Sequence, residues 1–372
     1  MSLRLRHHSL PREGGEEEVS IKKLYRTKVE ETFPEKIKIT IGDREIEYHK
    51  AQSLRYGENP HQPAAYYAPN EGKLTVGAMK ILKTGKGGLS RTNIEDMNNA
   101  MNIVRYFDDA ACAIMKHVNP SGVAAARKGD TLKAVFKRAW DSDPVAAFGC
   151  VAGFNKPVDV ETATEIMNNY CEAVVAPGFA PETMPIFEQK KDIRIIQIDN
   201  IYAGSRFVGE PPEPLVISTM ADGSFVLSTP MLTKIKSTND LRWVTERKGT
   251  VKETQDLLFA WYVNLNVRSN GVVLADDRQT LGVGTGQQDR VIAVRQALQK
   301  AEERGHKDRL KDAVLASDGF FPFRDSIDAL AKHGIKACCQ PGGSVKDDEV
   351  IAACNEHGIA MAFTDERCFR HF

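Results

Sequence analysis

The sequence offers no net charge to a partner. Its 50 lysines and arginines balance 50 aspartates and glutamates across 372 residues. The balance excludes the overall basic field of a nucleic-acid-binding chain, and equally an acidic field aimed at a polycation. No apolar run approaches the length of a membrane span; the longest, such as Ala111 to Met115, suit buried strands. The opening residues, Met-Ser-Leu-Arg-Leu-Arg-His-His, lack the apolar core of a secretory signal, so the cytoplasm is the default compartment. There is no Cys-x-x-Cys pair. The 7 cysteines are odd in number, and several sit inside apolar runs. They read as buried reduced thiols rather than a disulfide framework.

What is present points to layered α/β structure. Residues 1 to about 20 are charged and rich in Gly and Glu, and read as a disordered leader. Ile37 to Tyr48 alternates apolar and polar around Gly42-Asp43, a hairpin signal. Short apolar runs then alternate with helical patterns. Asn93 to Tyr106 sets Ile94, Met97, Met101 and Val104 on one helical face before the strand Ala111 to Met115. Further helices are expected over Thr131–Trp140 and Asp159–Tyr170, with strands over Gly149–Phe154 and Ala173–Ala176.

The middle, Tyr202 to Pro230, is rich in Gly, Pro and Ser, and Pro211-Pro212-Glu213-Pro214 reads as a connector. The second half repeats the style. Strands are expected at Gly271–Ala275 and Thr280–Val283 around a turn at Asp276-Asp277, then at Ala313–Ala316, Ala337–Cys339 and Ala360–Phe363. Length and pattern predict two α/β modules, 21–205 and 206–372, and make an internal duplication a reasonable expectation.

Ligands in such sheets bind beyond strand ends. Ala111–Met115 runs into Lys116-His117-Val118-Asn119-Pro120-Ser121-Gly122, a cation beside a base that titrates near neutral pH, with Pro-x-Gly read as the holding turn. An arbitrary Lys-His pair is more often a surface lysine and a capping histidine; the strand-end position is what singles this one out. Ala313–Ala316 runs into Ser317-Asp318-Gly319-Phe320-Phe321-Pro322-Phe323-Arg324-Asp325. A core loop explains two of those phenylalanines. A flat aromatic ligand beside a carboxylate explains the cluster better.

Leu281 to Arg290 resembles a dinucleotide fingerprint and fails it, because Gln287 occupies the third glycine's place. Gln340-Pro341-Gly342-Gly343-Ser344 reads equally as a tight connection or as amides facing an anion. Lys83 to Gly88 is a basic turn and not a Walker loop. Arg55, beside Tyr56, has the guanidinium geometry to clamp a phosphate, or simply forms a polar hairpin corner; Arg367 is a second anion clamp or part of a frayed tail.

Taken together, these segments resemble the aminoimidazole carboxamide ribonucleotide (AICAR) transformylase family. The blocks are Leu54–Gln62, Lys116–Gly122, Asp143–Gly149, Ser269-Asn270, Gly284–Arg290, Ser317–Asp325, Gly342–Ser344 and Arg367–Phe369, in the family's order. The resemblance implies two tandem cytidine-deaminase-like α/β/α modules in a homodimer with active sites across the interface. It implies transfer of a formyl group from 10-formyltetrahydrofolate, as co-substrate, to the 5-amine of AICAR. No metal is required for that chemistry, though a monovalent cation is compatible with it. His117 would accept the proton, with Lys116 and Asn270 stabilising the transition state. Arg55, Tyr56, Gly149, Glu172, Arg290, Phe320 and Arg367 would contact the nucleotide, and Val291, Asp325, Ser344 and Val345 the folate. Glu172 departs from the aspartate frequent in the family. Fewer than 55 residues precede the first block, too few for the ring-closing domain of bifunctional members. The expectation is therefore a monofunctional chain whose product a separate IMP cyclohydrolase takes on.

Two rivals come from other classes. A zinc deaminase needs His-x-Glu and Pro-Cys-x-x-Cys; here Val118 and Asn119 follow His117, and Cys338-Cys339 has the wrong spacing. A non-catalytic purine-nucleotide sensor would keep Arg55, Arg290 and Arg367 and have no need of Lys116-His117.

Overall fold

The computed structural model describes residues 27–71, 73–85, 87–211 and 215–371. The leader expected over residues 1–20 lies outside them, as do positions 212–214 of the connector. β1 (Lys36–Ile41), β2 (Arg44–Ser53) and β3 (Ala65–Pro69) form an antiparallel sheet, with Gly42 at φ 58 in the first turn. The strands β4 (Lys80–Lys83), β5 (Ala111–Lys116), β6 (Asn119–Ala125), β7 (Cys150–Phe154), β8 (Cys171–Ala176) and β9 (Arg194–Gln197) follow. β10 (Val216–Thr219) and β11 (Phe225–Ser228) make a separate hairpin inside the segment read as a connector. The chain then adds β12 (Arg242–Trp243), β13 (Val272–Asp276), β14 (Gln279–Gly284), β15 (Val314–Ser317), β16 (Ala337–Gln340) and β17 (Ala360–Phe363).

These build one 12-stranded mixed sheet in the order β12-β17-β16-β15-β13-β14-β6-β5-β7-β8-β9-β4. Its halves meet at β14 and β6, and each half repeats the same plan. In each, the first strand pairs antiparallel with the second and the third; the third, fourth and fifth run parallel; a short strand closes the outer edge antiparallel. The central strands are buried on both faces, which is why β5 and β13 read as continuous apolar runs.

One face carries the helices Arg91–Val104 and Val251–Asn264, whose apolar sides share a single core with Ala111, Ala113, Met115 and Val273. The alternate residues Cys112 and Ile114 face a second core, under Leu132–Asp141 and Val160–Met167. A third lies under Arg290–Glu303, Asp325–Lys332 and Asp347–Glu356. Helix starts follow the capping rules: Ser90 and Thr250 form capping boxes, and Asp159 accepts from the Thr162 amide.

Pro120-Ser121-Gly122 is not the turn expected from its composition. It lies inside β6, and the turn falls on His117-Val118. Pro120 enters at a register shift opposite Met115, where no ladder donor is required. Gly122 is needed for packing: a Cβ there would lie 2.0 Å from the Ala139 carbonyl of the helix above. In the other half the turn is Asp277-Arg278, one residue later than expected.

Candidate functional site

The strand senses bring one set of ends together. The carboxyl ends of β5, β14, β15, β16 and β17 and the amino ends of β6, β7, β8 and β13 share one edge of the sheet. Lys116, His117, Gly149, Glu172, Asn270, Arg290, Phe320, Asp325, Ser344 and Val345 all lie at or just beyond those ends.

In the first half, Lys116 ends β5, and its ammonium donates to the Phe148 carbonyl. Gly149, beside Lys116 Nζ, sits at φ 78, a left-handed conformation that favours glycine. Phe148 and Tyr170 form an exposed aromatic pair with ring centroids 4.8 Å apart. Arg55 Nη2 donates to the Tyr56 hydroxyl at 3.1 Å, and the guanidinium lies 4.7 Å from that ring. The segment is pinned by Arg55 N to Leu89 O and Arg91 N to Tyr56 O. Glu172 accepts from Asn93 Nδ2 at 3.2 Å, and its backbone carbonyl accepts from the buried Arg194. Burial pulls the Arg194 guanidinium below its ordinary range.

His117 is exposed at the head of the β5–β6 hairpin. Both turn residues are left-handed, His117 at φ 54 and Val118 at φ 67. This is the φ pattern of a two-residue I′ hairpin turn, which usually selects Asn and Gly. A β-branched residue there is a genuine outlier. Asp96, buried on the helix below, accepts from Val118 N at 2.6 Å. Its carboxyl also faces the His117 amide, and burial pushes it up to about 7. Asn99, one helical turn on, donates to Val118 O at 3.2 Å. Asn119 Oδ1 accepts from Arg268 N at 3.0 Å and from Thr285 Oγ1 at 2.7 Å, tying the hairpin to the second half.

In the second half, Arg290 is buried against Asp318, to which Nη1 donates. Nη2 donates to Asn270 Oδ1 at 2.7 Å, and Asp318 Oδ2 accepts from Gly271 N at 2.8 Å. Cys368 N donates to the Asp318 carbonyl at 3.0 Å, so the C-terminal stretch is docked rather than frayed. It sets Arg367 4.9 Å from the Phe369 ring. Phe321 is core, whereas Phe320 and Phe323 are 43% and 53% exposed. Val345 is fully exposed, Asp325 opens its helix, and Val291 is the second residue of Arg290–Glu303. The phosphate-clamp candidates, exposed aromatic rings and an exposed imidazole thus line one edge, a set suited to a flat anionic substrate and a proton transfer.

The model of the AICARFT/IMPCHase bienzyme family matches residues 18–300. The chain belongs to this family. It is 43% identical over 338 residues to the bifunctional purine biosynthesis protein PurH of Magnetococcus marinus, covering 88% of this chain and 60% of the relative. It is 42% identical over 346 residues to PurH of Persephonella marina, covering 92% and 62%, and 39% identical over 352 residues to PurH of Oceanobacillus iheyensis, covering 94% and 64%. The chain thus spans less than two thirds of the length of these curated relatives.

Sequence reasoning did not single out Asp96, Asn99, Asn119 or Tyr170, and took Asp318 only as part of a motif. A signal for two of them existed. Asn93, Asp96 and Asn99 recur every third residue on the helix Arg91–Val104, and all three are buried. All 7 cysteines are buried and free; burial drives the Cys112 and Cys368 thiols well above the ordinary range and Cys339 to about 12. No group of residues able to hold a metal ion occurs among the described residues.

Proposed function

We propose that the chain is the transformylase part of the bifunctional relatives, moving a formyl group from 10-formyltetrahydrofolate to the 5-amine of AICAR to give FAICAR. The observation that carries this reading is the left-handed turn that sets His117 beside Lys116 at the edge shared with Arg290 and Asn270. Arg55 and Arg367 bind the phosphate in this reading, while Tyr56, Gly149, Glu172 and Phe320 hold the sugar and the base. Arg290, with Nη2 already on Asn270, acts first by orienting that amide. The exposed Phe323 and Val345, with Val291, Asp325 and Ser344, are assigned to the folate in this reading.

The substrate amine is a poor nucleophile because its lone pair is delocalised into the ring. As its nitrogen bonds to the formyl carbon, His117 takes the amine proton. Lys116 and Asn270 stabilise the charge gathering on the formyl oxygen. The bond from that carbon to the folate nitrogen then breaks with its electron pair on nitrogen, and that nitrogen takes up the proton His117 had accepted. Holding both substrates at contact distance supplies much of the rate.

The two halves repeat one strand plan, which supports reading them as tandem cytidine-deaminase-like modules. Within one chain, β5 and β13 stand three strand spacings apart, roughly 14 Å. A second copy presenting the same edge would close that gap, and we propose a homodimer with shared sites. The test is a formyl-transfer assay on the purified chain with 10-formyltetrahydrofolate, and in parallel with formate plus ATP. Product with the folate donor supports the reading; nucleotide binding without turnover for either donor overturns it.

A further inference from the structure

We infer that Asp96 is a positioning residue, which holds the strained His117-Val118 turn and thereby aims the imidazole at the reacting amine. The inference rests on the transformylase reading.

The cost of the turn lies in its composition. A non-glycine residue is disfavoured in the left-handed region, and here two stand in succession, one of them β-branched. Such a conformation persists only where its surroundings over-determine it. The surroundings are a polar stripe on the helix Arg91–Val104: Asp96 receives the Val118 amide at 2.6 Å and faces that of His117, and Asn99 donates to Val118 O at 3.2 Å. Asn119 Nδ2 closes the third side on His117 O at 3.2 Å.

The duplicated plan supplies an internal comparison. Asp96 is the sixth residue of its helix, Arg91–Val104, and Asp256 is the sixth of the corresponding helix, Val251–Asn264. Asp256 does the same work on the corresponding turn. Its Oδ2 accepts from Asp277 N at 2.9 Å and its Oδ1 from Arg278 N at 2.8 Å, and those residues are left-handed at φ 52 and 58. A carboxylate beneath two left-handed amides is therefore a device of the scaffold, used twice. The two copies differ in their load. The Asp256 turn lies at the opposite edge of the sheet, and the carboxylate is paired with Lys252 at 2.9 Å. The Asp96 turn carries His117, and no cation lies within ion-pair distance of Asp96 among the described residues.

The test compares Asp96→Ala with Asp256→Ala in the full chain. Both remove a clamp from a left-handed turn, so both are expected to lower thermal stability. Only Asp96→Ala is expected to lower kcat for formyl transfer, by about 10- to 100-fold, the usual consequence of a misplaced catalytic group, with KM for the nucleotide within about threefold of wild type. Asp96→Asn, which keeps an acceptor oxygen, should recover most of the rate. In a His117→Ala background, adding Asp96→Ala should change kcat by less than about threefold. The His117 ring resonances, read by NMR, should move in Asp96→Ala and stay in place in Asp256→Ala. Equal kcat losses in the two alanine variants, or an undiminished Asp96→Ala effect without His117, would overturn the inference. If the wild-type chain does not transfer formyl groups, the functional reading fails and the NMR comparison still decides whether Asp96 positions His117.

Discussion

Replacing Asp318 by alanine removes one member of a buried ion pair. Its side chain is fully buried, and the Arg290 side chain facing it is 5% exposed. Asp318→Ala leaves a guanidinium in the interior with only the Asn270 side chain and the Gly271 carbonyl as acceptors, and strips the Gly271 amide of its acceptor. Removing one partner of a buried pair costs about 3–5 kcal/mol, because the other charge stays behind uncompensated. Arg290→Met should cost a comparable amount, since the carboxylate would keep only amide donors. Replacing both by Met and Leu should cost less than the sum of the singles, because well-packed apolar replacements of buried pairs are often close to neutral. The assay is urea unfolding of the four proteins, followed by tryptophan fluorescence. The single variants should also weaken nucleotide binding, since the Arg290 guanidinium orients Asn270 and the Asp318 carboxylate holds the Gly271 amide beside it. Single variants within about 1 kcal/mol of wild type, or strictly additive losses, would refute the reasoning.

His117→Ala should lower formyl transfer by about 10²–10⁴-fold with a much smaller effect on nucleotide affinity; a variant with near-normal turnover would remove His117 from the base role. Mixing inactive His117→Ala and Asn270→Ala chains, after subunit exchange is verified with labelled protein, should restore turnover through mixed dimers; exchange without recovery would place the two halves of the site in one chain. Asp96, raised by burial from 3.8 to about 7, should make stability fall as pH rises from about 4 to 7, because the folded state holds a proton that the unfolded state releases. The neutral Asp96→Asn should lack that loss, gaining on wild type by up to about 4 kcal/mol at pH 8 relative to pH 4. Equal pH slopes in the two proteins would refute the assignment of that proton to Asp96. Gly122→Ala should be strongly destabilising because its Cβ meets the Ala139 carbonyl at 2.0 Å; unchanged thermal stability would contradict the packing.

The layered α/β pattern was legible because both-face burial writes itself as uninterrupted apolar runs, as in Ala111–Met115 and Val272–Ala275. Apolar periodicity placed helix starts to within a few residues, as Asn93 against the observed Arg91 and Asp159 against the observed Val160 illustrate. The β5–β6 turn was misread because Pro and Gly are local signals, whereas the cause of the turn is tertiary. Asp96 lies 22 residues from Val118 in sequence, and its hold on the turn leaves no mark in the turn's own composition. Short strands with few apolar residues, such as Lys80–Lys83 and Arg242–Trp243, were missed because they act as edges and need only one neighbour each. The β10–β11 hairpin lay inside Gly- and Pro-rich sequence, and every one of its strand residues is exposed, so no buried periodicity announced it. Among site residues, the motifs gave position along the chain but not the bonding. Nothing in Gly284–Arg290 indicates that Arg290 turns inward to Asp318 instead of standing free for an anion.

The repeated plan explains why the candidate site residues gather on one edge. Because β6 and β14 join the halves antiparallel, the first strand of one half ends where the first strand of the other begins. The corresponding hairpin turns therefore lie on opposite edges. At the far edge the second half presents Asp276 and Asp277, held by Lys252, Arg309 and Arg127 in ion pairs. At the near edge the corresponding positions are Lys116 and His117, a cation and a base, and Lys116 donates to a backbone carbonyl. The same hairpin on the same carboxylate clamp thus serves as a closed structural corner in one half and as an open, exposed presentation in the other. The second half reaches the near edge with different parts: the β14–helix loop, the strand-end Asp318 and the docked C-terminal stretch. The β6–β14 junction holds the two halves of the chain in register. Asn119 supplies that coupling directly, since one side-chain oxygen receives both Arg268 N and Thr285 Oγ1 beside the turn that carries His117.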